Sequence, residues 1–571
     1  MPEGAPACDR RPPRELRFVA VPPERLGAGE AVFDLQSDAP GIATAQGTAW
    51  RDAFIDWLGG LNRANASLGW WAYTSTAKNL LSSPLGDACL GILALEEFLA
   101  RTGAAIVNVT GATPAQSAAL RERLDGTQWR IAGAPPGLPA LEPLARLLWQ
   151  FGRILALWCA GYIRAPRGDA PQAVIFTYVD ASFRDGPDAF FGDLAQKLPV
   201  KARHVAFVHS WYRPALPKLS ARGYEPLFGS LRPADVLWSL GASLRAWWRA
   251  GRYGAGNLGA VPASTLLRHA LRWDLGRGAY FYNVLVYRAA RRLFARWRPE
   301  WLLYPYENKA LEKMLLLATR ESSPLTRIVG YQHTSITRRH ATLLFAPGEA
   351  AMTPMPDRIV TVGEMTRRYL EAHGRYPAGI FATGCALRQG RDAPLERRTA
   401  DGRIRLLLAL SSSRRELVSG VELCRRALET EPALEVGIRA HPEFPLALLP
   451  AELRGWAEKH ARNFFGSALA ANLEWCDAVA YASSTVALEA LGRGRPVIHL
   501  ALSEVLDPDP VLDPVQLRWT AATPAALAAT GREIVGLDAG EFERRQRQAL
   551  DYIDGYLGAP TPRALEAFLP A

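Results

Sequence analysis

The amino-acid sequence predicts an α/β protein with two Rossmann-like domains, each built on a parallel sheet that is covered by helices. Short apolar runs of strand length alternate with helical stretches along almost the whole chain, which is the pattern of doubly wound parallel sheets. The 571 residues are too many for a single hydrophobic core. A polar, arginine-rich passage at residues 384–402 interrupts the pattern. We therefore predict a first domain at residues 1–385 and a second at residues 386–571.

The apolar runs give the order of the predicted strands. Each run is rich in aliphatic or aromatic residues and is bounded by polar residues, glycine or proline. The predicted strands of the first domain are Leu16–Val21, Ala105–Val109, Ala173–Tyr178, His204–His209, Trp301–Tyr304, Ile328–Gln332 and Arg358–Val362. Those of the second domain are Ile404–Leu410, Leu434–Arg439, Ala478–Tyr481 and Val497–Leu500.

The first domain also contains two predicted helical insertions, at residues 141–165 and 231–298. Between Leu231 and Glu300 the sequence has twelve arginines, no lysine, three acidic residues and five tryptophans. Arginine and tryptophan on amphipathic helices suit an anionic membrane surface, and we favour that partner over nucleic acid because no nucleic-acid-binding motif is found. A solvated helix face with ordinary core tryptophans is the alternative. The apolar segment Leu147–Ile163 is too short to span a bilayer, so we expect it at the membrane interface or in the core.

The spacing of the cysteines and the composition of the first residues indicate the cellular compartment in which the protein is expected. Six cysteines are scattered without a CxxC pair, which is typical of reduced thiols rather than of a disulfide framework or a zinc site. The first residues carry charges and prolines instead of an apolar segment, so no secretory signal is predicted. We therefore expect a cytoplasmic protein that binds peripherally to the inner face of the cytoplasmic membrane.

Two strands of the second domain end in polar residues, at the edge where parallel strands open onto a ligand. The residues concerned are Arg439, His441, Pro442, Ser483, Ser484, Thr485 and Glu489. A helix is predicted directly after the three hydroxyl residues, and the N–H groups of a helix N-terminus favour anions. We therefore predict a cradle for the phosphate of an activated sugar, although a Ser-Ser-Thr run alone is more often a helix cap. Ser412 and Ser413, which follow another strand, are further candidates for donor binding.

These motifs resemble those of bacterial enzymes that build surface polysaccharides. His441-Pro442 and the later hydroxyl residues are similar to motifs of capsule polysialyltransferases and Kdo transferases, and polyol-phosphate transferases of the teichoic-acid type have a similar His-Pro and Ser-Ser pair. More broadly, the chain looks like a family of bacterial surface carbohydrate biosynthesis proteins. The marks of that family here are Trp70-Trp71, Lys78-Asn79, Phe191–Leu194, Tyr306-Glu307-Asn308 and Gln332-His333.

The resemblance implies the GT-B fold, in which two Rossmann-like domains face a cleft and the final helix often crosses back to the first domain. Phe542–Leu557 is the stretch that could do so here. The resemblance also implies that His441 and the hydroxyl residues hold the phosphate of a cytidine nucleotide donor. Glu489 would bind the ribose, as a matching glutamate does in many GT-B enzymes.

Catalytic residues are sought at strand ends of the first domain, because glycosyl transfer needs a base for the acceptor hydroxyl. Glu307 follows the strand Trp301–Tyr304 and is the first candidate, whereas His333, after the next strand, is the rival base. The acidic motif that supplies the base in polysialyltransferases is not found, so Glu307 rests on its position alone. Asp180 and Asp185 follow another strand and are the candidates for binding the acceptor. Each of these residues also has an ordinary structural interpretation, such as an acid at a helix N-terminus.

No cofactor or metal site is predicted, because Asp507-Pro508-Asp509 lies in a proline-rich loop and is interpreted as a turn. The predicted function is that of a metal-independent GT-B glycosyltransferase of lipopolysaccharide, O-antigen or capsule synthesis. It would use a nucleotide-sugar donor, by preference a CMP-linked acidic sugar such as Kdo or a nonulosonic acid, and a lipid-linked or oligosaccharide acceptor. The alternatives are a polyol-phosphate transferase with a CDP donor, a UDP-sugar 2-epimerase-like enzyme and a non-catalytic assembly factor.

Overall fold

A computed structural model describes most of the chain. The described residues are 30–34, 47–80, 83–102, 106–110, 112–123, 129–131, 141–159, 169–179, 186–208, 219, 221–258, 261–388, 393–398, 401–502 and 506–569. The predicted strand Leu16–Val21 and the acceptor candidates Asp180 and Asp185 lie outside these residues.

Strands and helices alternate along the described chain. The strands are β1 (Glu30–Asp34), β2 (Ile106–Thr110), β3 (Trp129–Ile131), β4 (Ala173–Val179), β5 (Ala202–Val208), β6 (Glu225–Pro226), β7 (Asn257–Leu258), β8 (Val261–Pro262), β9 (Trp301–Pro305), β10 (Arg327–Gln332), β11 (Arg358–Thr361), β12 (Phe381–Thr383), β13 (Ile404–Ala409), β14 (Leu434–Arg439), β15 (Ala461–Asn463), β16 (Ala478–Tyr481), β17 (Val497–Leu500) and β18 (Arg518–Ala521).

The helices between them range from one turn to five turns. They are α1 (Gly47–Asn65), α2 (Leu68–Trp71), α3 (Pro84–Thr102), α4 (Pro114–Arg123), α5 (Leu141–Cys159), α6 (Leu194–Lys197), α7 (Pro233–Ala250), α8 (Ala263–Gly276), α9 (Ala279–Trp297), α10 (Ala310–Ser322), α11 (Glu364–His373), α12 (Arg414–Thr430), α13 (Ala451–His460), α14 (Leu469–Trp475), α15 (Val486–Gly492), α16 (Pro524–Gly536), α17 (Ala539–Tyr556) and α18 (Pro562–Glu566).

Two parallel sheets dominate the fold. The larger sheet has the strand order β12-β11-β10-β9-β4-β5-β6, and the second has the order β15-β14-β13-β16-β17-β18. Each pair of neighbouring strands in both sheets is parallel. All residues of the inner strands β9 and β16 are buried, as expected when helices cover both faces of a parallel sheet. The predicted α/β class with two parallel sheets is confirmed.

Every predicted strand that falls among the described residues is present, with bounds within two residues of those expected. The strands that the sequence does not reveal are mostly short and lie at sheet edges, such as β12, β15 and β18. These edge strands are only partly buried, so they need no continuous apolar run. Strands β13 to β18 form the six-stranded sheet, and all earlier strands belong to other sheets. The exact position of the domain boundary stays a prediction.

A buried ion pair within the first domain links Lys78, which follows α2, to Glu349, which lies between β10 and β11. The ammonium of Lys78 lies 2.5 Å from the carboxylate of Glu349, and both side chains are fully buried. Asn62 also donates a hydrogen bond of 2.6 Å to Glu349. Trp70 and Trp71 lie in the surrounding core, where both are almost completely buried. These buried contacts join two segments of the first domain that are distant in the sequence.

The final helices contact both sheets. The Tyr556 hydroxyl at the end of α17 accepts a hydrogen bond of 2.9 Å from the Ile336 amide in the first domain. The Gly558 amide then donates to the Val362 carbonyl at 2.7 Å. Gly363 has no room for a side chain, because a Cβ atom there would lie 2.1 Å from the Tyr556 carbonyl oxygen. The end of the chain is thus packed against β11 of the first domain.

Candidate active site

Glu307 and His333 meet at the carboxyl edge of the first sheet. They follow the neighbouring strands β9 and β10, which pair in parallel with Pro305 opposite Tyr331. Two residues beyond that pair, the His333 Nε2 atom lies 3.2 Å from the Glu307 Oε1 atom. The two rival base candidates of the sequence are therefore partners in one hydrogen bond.

The loop that carries Glu307 has a constrained conformation. Asn308 has a φ angle of +57°, in the left-handed region that asparagine tolerates better than most residues. Its side-chain amide donates a hydrogen bond of 2.8 Å to the Thr342 carbonyl and is buried. The Tyr306-Glu307-Asn308 motif thus turns the chain sharply after β9 and points Glu307 along the sheet edge.

The carboxylate of Glu307 is ionised at any physiological pH. Burial on its own would raise the pKa of Glu307, but the hydrogen bond with His333 and the charge of Lys309 outweigh burial and lower the pKa to about 2. The Lys309 ammonium forms an ion pair with Glu307 Oε2. Because an ionised carboxylate can only accept, His333 must donate from Nε2. In the tautomer that carries its proton on Nε2, the lone pair is on Nδ1, and that buried atom has no hydrogen-bond partner among the described residues.

Sequence reasoning missed Glu312, which lies in the first turn of α10. Its Oε2 atom accepts a hydrogen bond of 3.0 Å from the Glu307 amide, and its Oε1 atom accepts one of 3.3 Å from the Tyr178 hydroxyl. Burial and the nearby charge of Glu307 raise the pKa of Glu312 to about 8. Two adjacent carboxyl groups therefore hold different protonation states at neutral pH. An acid in the first turn of a helix is so common that its sequence position gave no signal.

A cavity of about 490 Å³ lies beside these residues, between the sheet and the helical insertions. Its lining includes Tyr178, Phe207, Trp273, Arg277, Tyr282 and Lys309. Tyr178 and Lys309 connect the cavity to the carboxylate pair, because each contacts one of the two glutamates. Aromatic faces and polar side chains together form a lining that suits a sugar. The wall opposite the sheet comes from α8 and α9, within the predicted insertion.

In the second domain, part of the predicted cradle is engaged internally. The Ser483 hydroxyl donates to Glu416 Oε1, and its oxygen lies 2.8 Å from Ser411 Oγ. Ser411 donates to the other oxygen of Glu416 at 2.6 Å. Ser413 caps α12 by accepting from the Glu416 amide at 3.3 Å, while Ser412 is exposed. A carboxylate of the protein itself therefore lies at the N-terminus of α12, where an anion is favoured.

A second group of predicted donor residues lies at the ends of β14 and α15. His441 Nδ1 accepts a hydrogen bond of 3.2 Å from the Glu443 amide, so the neutral ring carries its proton on Nε2. Burial lowers the pKa of His441, which favours this neutral form. Burial also raises the pKa of Glu489, although Arg388 and Arg439 oppose the shift. In the described part of the chain no group donates a hydrogen bond to the Glu489 carboxylate.

The remaining cradle residues differ in exposure. Thr485 and Pro442 are exposed and Ser484 is buried. Thr485 stands at the start of α15, but its side chain makes no capping hydrogen bond. α15 has only seven residues. Its dipole is therefore a weaker support for an anion than the sequence suggested.

The segment after β12 connects the two groups of candidate residues. The Tyr331 hydroxyl, close to His333 on β10, donates to the Cys385 carbonyl at 2.9 Å and accepts from the Leu387 amide at 3.1 Å. The next residue, Arg388, is near enough to Glu489 to oppose its raised pKa. The segment from Cys385 to Arg388 therefore connects the surroundings of the Glu307–His333 pair with those of Glu489.

His499, Asp507 and Asp509 form a cluster whose ligand atoms lie within 4.8 Å of one another. Asp509 accepts hydrogen bonds from the Tyr481 hydroxyl at 2.8 Å and from Arg518 Nε at 2.7 Å. The Asp509 amide donates to Asp507 Oδ1 at 3.0 Å, which is a turn of the kind predicted for this sequence. Because Arg518 already neutralises the Asp509 carboxylate, the arrangement of these residues suits a structural hydrogen-bond network better than a cation site.

Comparisons with known proteins give structural likenesses only. No protein-family profile matches the chain, and no curated protein matches it. Among solved structures, the calicheamicin glycosyltransferase CalG4 is similar with a TM-score of 0.39 and 13% identity, over 71% of this chain and 99% of that chain. The UDP-GlcNAc 2-epimerase of Neisseria meningitidis, bound to UDP-GlcNAc, gives 0.41 and 9%, over 70% and 100%. Anabaena Alr3699/HepE in complex with UDP-glucose gives 0.40 and 10%, over 69% and 97%. Likenesses of this size carry no information about what this chain binds.

Proposed function

We propose that this chain is a glycosyltransferase of the GT-B type that takes its sugar from a nucleotide donor. The observation that carries the proposal is the Glu307–His333 pair, which lies at the carboxyl edge of the first sheet beside a cavity of about 490 Å³. Ligands of open parallel sheets bind at this edge. The second sheet presents its own polar groups at the equivalent edge, and the segment after β12 links the two.

His333 is the proposed general base, and Glu307 positions it. A carboxylate whose pKa is about 2 is too weak a base to take a proton from a sugar hydroxyl. It serves instead to hold the Nε2–H of His333 and to stabilise the imidazolium that forms when Nδ1 accepts the proton. The Phe190 ring packs edge-on against His333, with the two ring centroids 4.8 Å apart.

The second domain is proposed to hold the donor. His441 can donate its Nε2–H to a phosphate oxygen, and the carboxylate of Glu489 can accept hydrogen bonds from ribose hydroxyls. Arg439 is partly engaged, since its Nη1 donates to the Ser467 carbonyl and to Asn472 Oδ1 at 2.8 Å each. The charges of Arg439 and Arg388 both act on Glu489, and two cations near this edge favour a donor that carries both a phosphate and a carboxylate.

A CMP-linked acidic sugar is therefore the donor that we propose, with a role in the synthesis of a surface polysaccharide. The cavity of the first domain would hold the acceptor glycan. Trp273 and Tyr282 offer stacking surfaces for sugar rings, and Arg277 and Lys309 offer charges for acidic substituents. Asp180 and Asp185, the acceptor residues predicted from the sequence, remain candidates from the segment that follows β4.

A 2-epimerase is the second candidate, because one observation favours it. The site holds one carboxyl group with a pKa of about 2 and another with a pKa of about 8. Neighbouring carboxyl groups whose pKa values differ this much are suited to acting as base and acid in one reaction. An epimerase would need no acceptor glycan, so the products of the two reactions differ.

Nucleotide binding tests the proposal first. CMP, CDP, UDP and GDP would be titrated against the wild type, His441→Ala and, as a matched control, His460→Ala, which removes an exposed histidine of the same domain. We expect tight CMP binding that is lost only in His441→Ala. Preference for CDP would point to a polyol-phosphate transferase. UDP preference with conversion of a UDP-sugar in the absence of acceptor would point to the epimerase. Failure of the wild type to bind any nucleotide would refute the proposal.

The helical insertions are proposed to contact an anionic membrane. Large apolar side chains that are exposed on them include Trp149 on α5 and Leu237 and Trp248 on α7. Trp248 is 79% exposed and lies one residue before Arg249. Within the described chain, no helix combines the length and the apolar character needed to cross a bilayer. Sedimentation with anionic vesicles at low salt tests this contact, and a protein that stays in the supernatant would contradict it.

A further inference from the structure

The first domain has a second cavity, of about 640 Å³, that is lined by five arginines. They are Arg232, Arg288, Arg291, Arg292 and Arg296. Four of these lie on α9, where spacings of three and four residues place them on one face of the helix. We call this cavity the arginine recess.

The arginine recess lies far from the candidate active site. α9 ends at Trp297 and leads into the amino end of β9, whereas Glu307 follows the carboxyl end of that strand. A strand of five residues is roughly 16 Å long. A group bound in the recess therefore does not reach the Glu307–His333 pair.

Positive charge in the recess exceeds negative charge. Asp235 is fully buried beneath it and pairs with Arg288 at 2.6 Å and with Arg292. Glu321 lies 3.6 Å from Arg291. Among the described residues that line the recess there are five arginines and no acid, and like charges that share one cavity repel each other unless an anion binds. The lining also contains the Ser230 hydroxyl oxygen, which is buried and has no partner among the described residues.

Apolar side chains flank the recess at the start of α7. The guanidinium of Arg288 lies 4.9 Å from the ring centroid of Trp238, which is 37% exposed. The neighbouring Leu237 is 60% exposed. Exposed tryptophan and leucine next to arginines are the combination that residues at a membrane interface show. A soluble anion would need the arginines but not these apolar neighbours.

We propose that the arginine recess binds the phosphomonoester headgroup of an anionic membrane lipid. A phosphate with a single ester carries more charge than the diester of an ordinary phospholipid and offers three oxygens to the arginine forks. Trp238 and Leu237 would then lie among the lipid chains. The inference deepens the proposed membrane contact by naming its headgroup, and it is independent of glycosyl transfer.

Vesicle binding tests the proposal. Phosphatidylcholine vesicles would contain phosphatidic acid, a phosphomonoester, or phosphatidylglycerol, a diester, at contents adjusted to give equal surface potential. We expect the wild type to bind the phosphatidic acid vesicles about tenfold more tightly, a difference worth about 1.4 kcal/mol. R291Q/R296Q should lose this preference. The matched control R245Q/R249Q removes two exposed arginines of α7 outside the recess, so it should weaken both interactions and keep the preference.

Four outcomes would overturn the proposal. They are equal binding of both vesicle types by the wild type, an unchanged preference in R291Q/R296Q, glycerol 3-phosphate in solution binding as tightly as the vesicles, and tighter binding to a random oligonucleotide than to either vesicle. The thermal unfolding midpoint checks that both variants fold, which is expected because Arg291 and Arg296 are exposed. Retained binding to phosphatidylglycerol vesicles separates loss of the headgroup site from loss of membrane contact altogether.

Discussion

The carboxyl edges of the two sheets carry opposite kinds of chemistry. The edge of the first sheet carries a network of titratable groups, Glu307, His333, Lys309 and Glu312, of which His333 and Glu312 are buried. The corresponding edge of the second sheet is built from hydroxyl groups that donate to Glu416 and from an open carboxylate, Glu489. The same strand–loop–helix architecture thus positions titratable groups in one domain and mainly hydroxyl groups in the other.

The comparison teaches that position at a sheet edge does not by itself define a role. In the first domain, burial and close charges move the pKa values of two glutamates in opposite directions. In the second domain, the hydroxyl groups of Ser411 and Ser483 donate hydrogen bonds to the buried carboxylate of Glu416. These hydroxyl hydrogens are therefore already used within the protein. We therefore expect variants of the first edge to change proton transfer and variants of the second to change binding or stability.

The largest effect is expected for His333→Gln. Loss of a general base typically costs 10²- to 10⁴-fold in rate, and we expect a fall of about 10³-fold in kcat. Nucleotide affinity should stay unchanged, because His333 belongs to the first domain. Single-turnover rates and equilibrium titration of the nucleotide measure the two quantities separately. A variant that loses affinity while keeping kcat would reverse the assignment of the two edges.

The next effect concerns pH and Glu312. The folded protein releases the Glu312 proton near pH 8, whereas the unfolded chain releases it near the usual pKa of 4.5. Between these values the folded state holds the extra proton, so the stability that this group contributes at low pH is lost as the pH rises. The total change is on the order of a few kcal/mol.

Glu312→Gln imitates the protonated carboxyl group and should remove this pH dependence. Denaturant unfolding at several pH values from 5 to 8.5 gives the slope for wild type and variant. Glu364→Gln is a control, because the arginines around Glu364 lower its pKa to about 2 and it does not titrate in this range. Parallel slopes for wild type and Glu312→Gln would contradict the raised pKa of Glu312.

Glu489→Ala should weaken nucleotide binding without changing the rate of the chemical step at saturation. Hydrogen bonds to a charged group contribute about 1.5 to 3 kcal/mol each, so we expect a loss of roughly 10- to 100-fold in affinity. Because the Glu489 carboxylate receives no hydrogen bond in the described chain, its removal should not lower the unfolding midpoint. Isothermal titration with the preferred nucleotide measures the loss, and an unchanged dissociation constant would exclude Glu489 from the donor site.

Much of the fold could be predicted from the sequence because inner parallel strands must be apolar along their whole length. β9 and β16 are of this kind, since all their residues are buried, and each was predicted within one residue. The edge strands β12 and β15 escaped prediction because their residues are half-exposed and short. A strand that is buried on both faces is recognisable as a continuous apolar run, whereas a three-residue edge strand has no such run.

The candidate site was less predictable, because its properties depend on contacts between distant segments. Glu307 and His333 were found from their positions after strands, yet nothing in the sequence indicates that they share a hydrogen bond. The pKa of Glu312 depends on burial and on a charge brought close by folding. Likewise, the pairing of Ser483 with Glu416, 67 residues earlier, requires the register of β13 and β16.

The smallest effect is expected for Ser483→Ala, which distinguishes a structural hydroxyl from a binding one. The variant leaves the buried Glu416 with one hydroxyl donor fewer, at a cost of about 1 to 3 kcal/mol in the free energy of unfolding. Nucleotide affinity should change less than about twofold, well under 1.4 kcal/mol. Ser412→Ala is the matched control, since Ser412 is exposed on the same loop as Ser411 and its loss should leave stability unchanged.

The opposite pattern would redraw the comparison between the two edges. If Ser483→Ala kept full stability and lost nucleotide affinity, the hydroxyl would leave Glu416 when the donor binds, and the network seen here would be a resting arrangement. The second edge would then contain a network that rearranges when the donor binds. A loss of stability with unchanged affinity would instead assign donor binding to His441 and Glu489, because those residues keep hydrogen-bonding groups that the protein itself does not use.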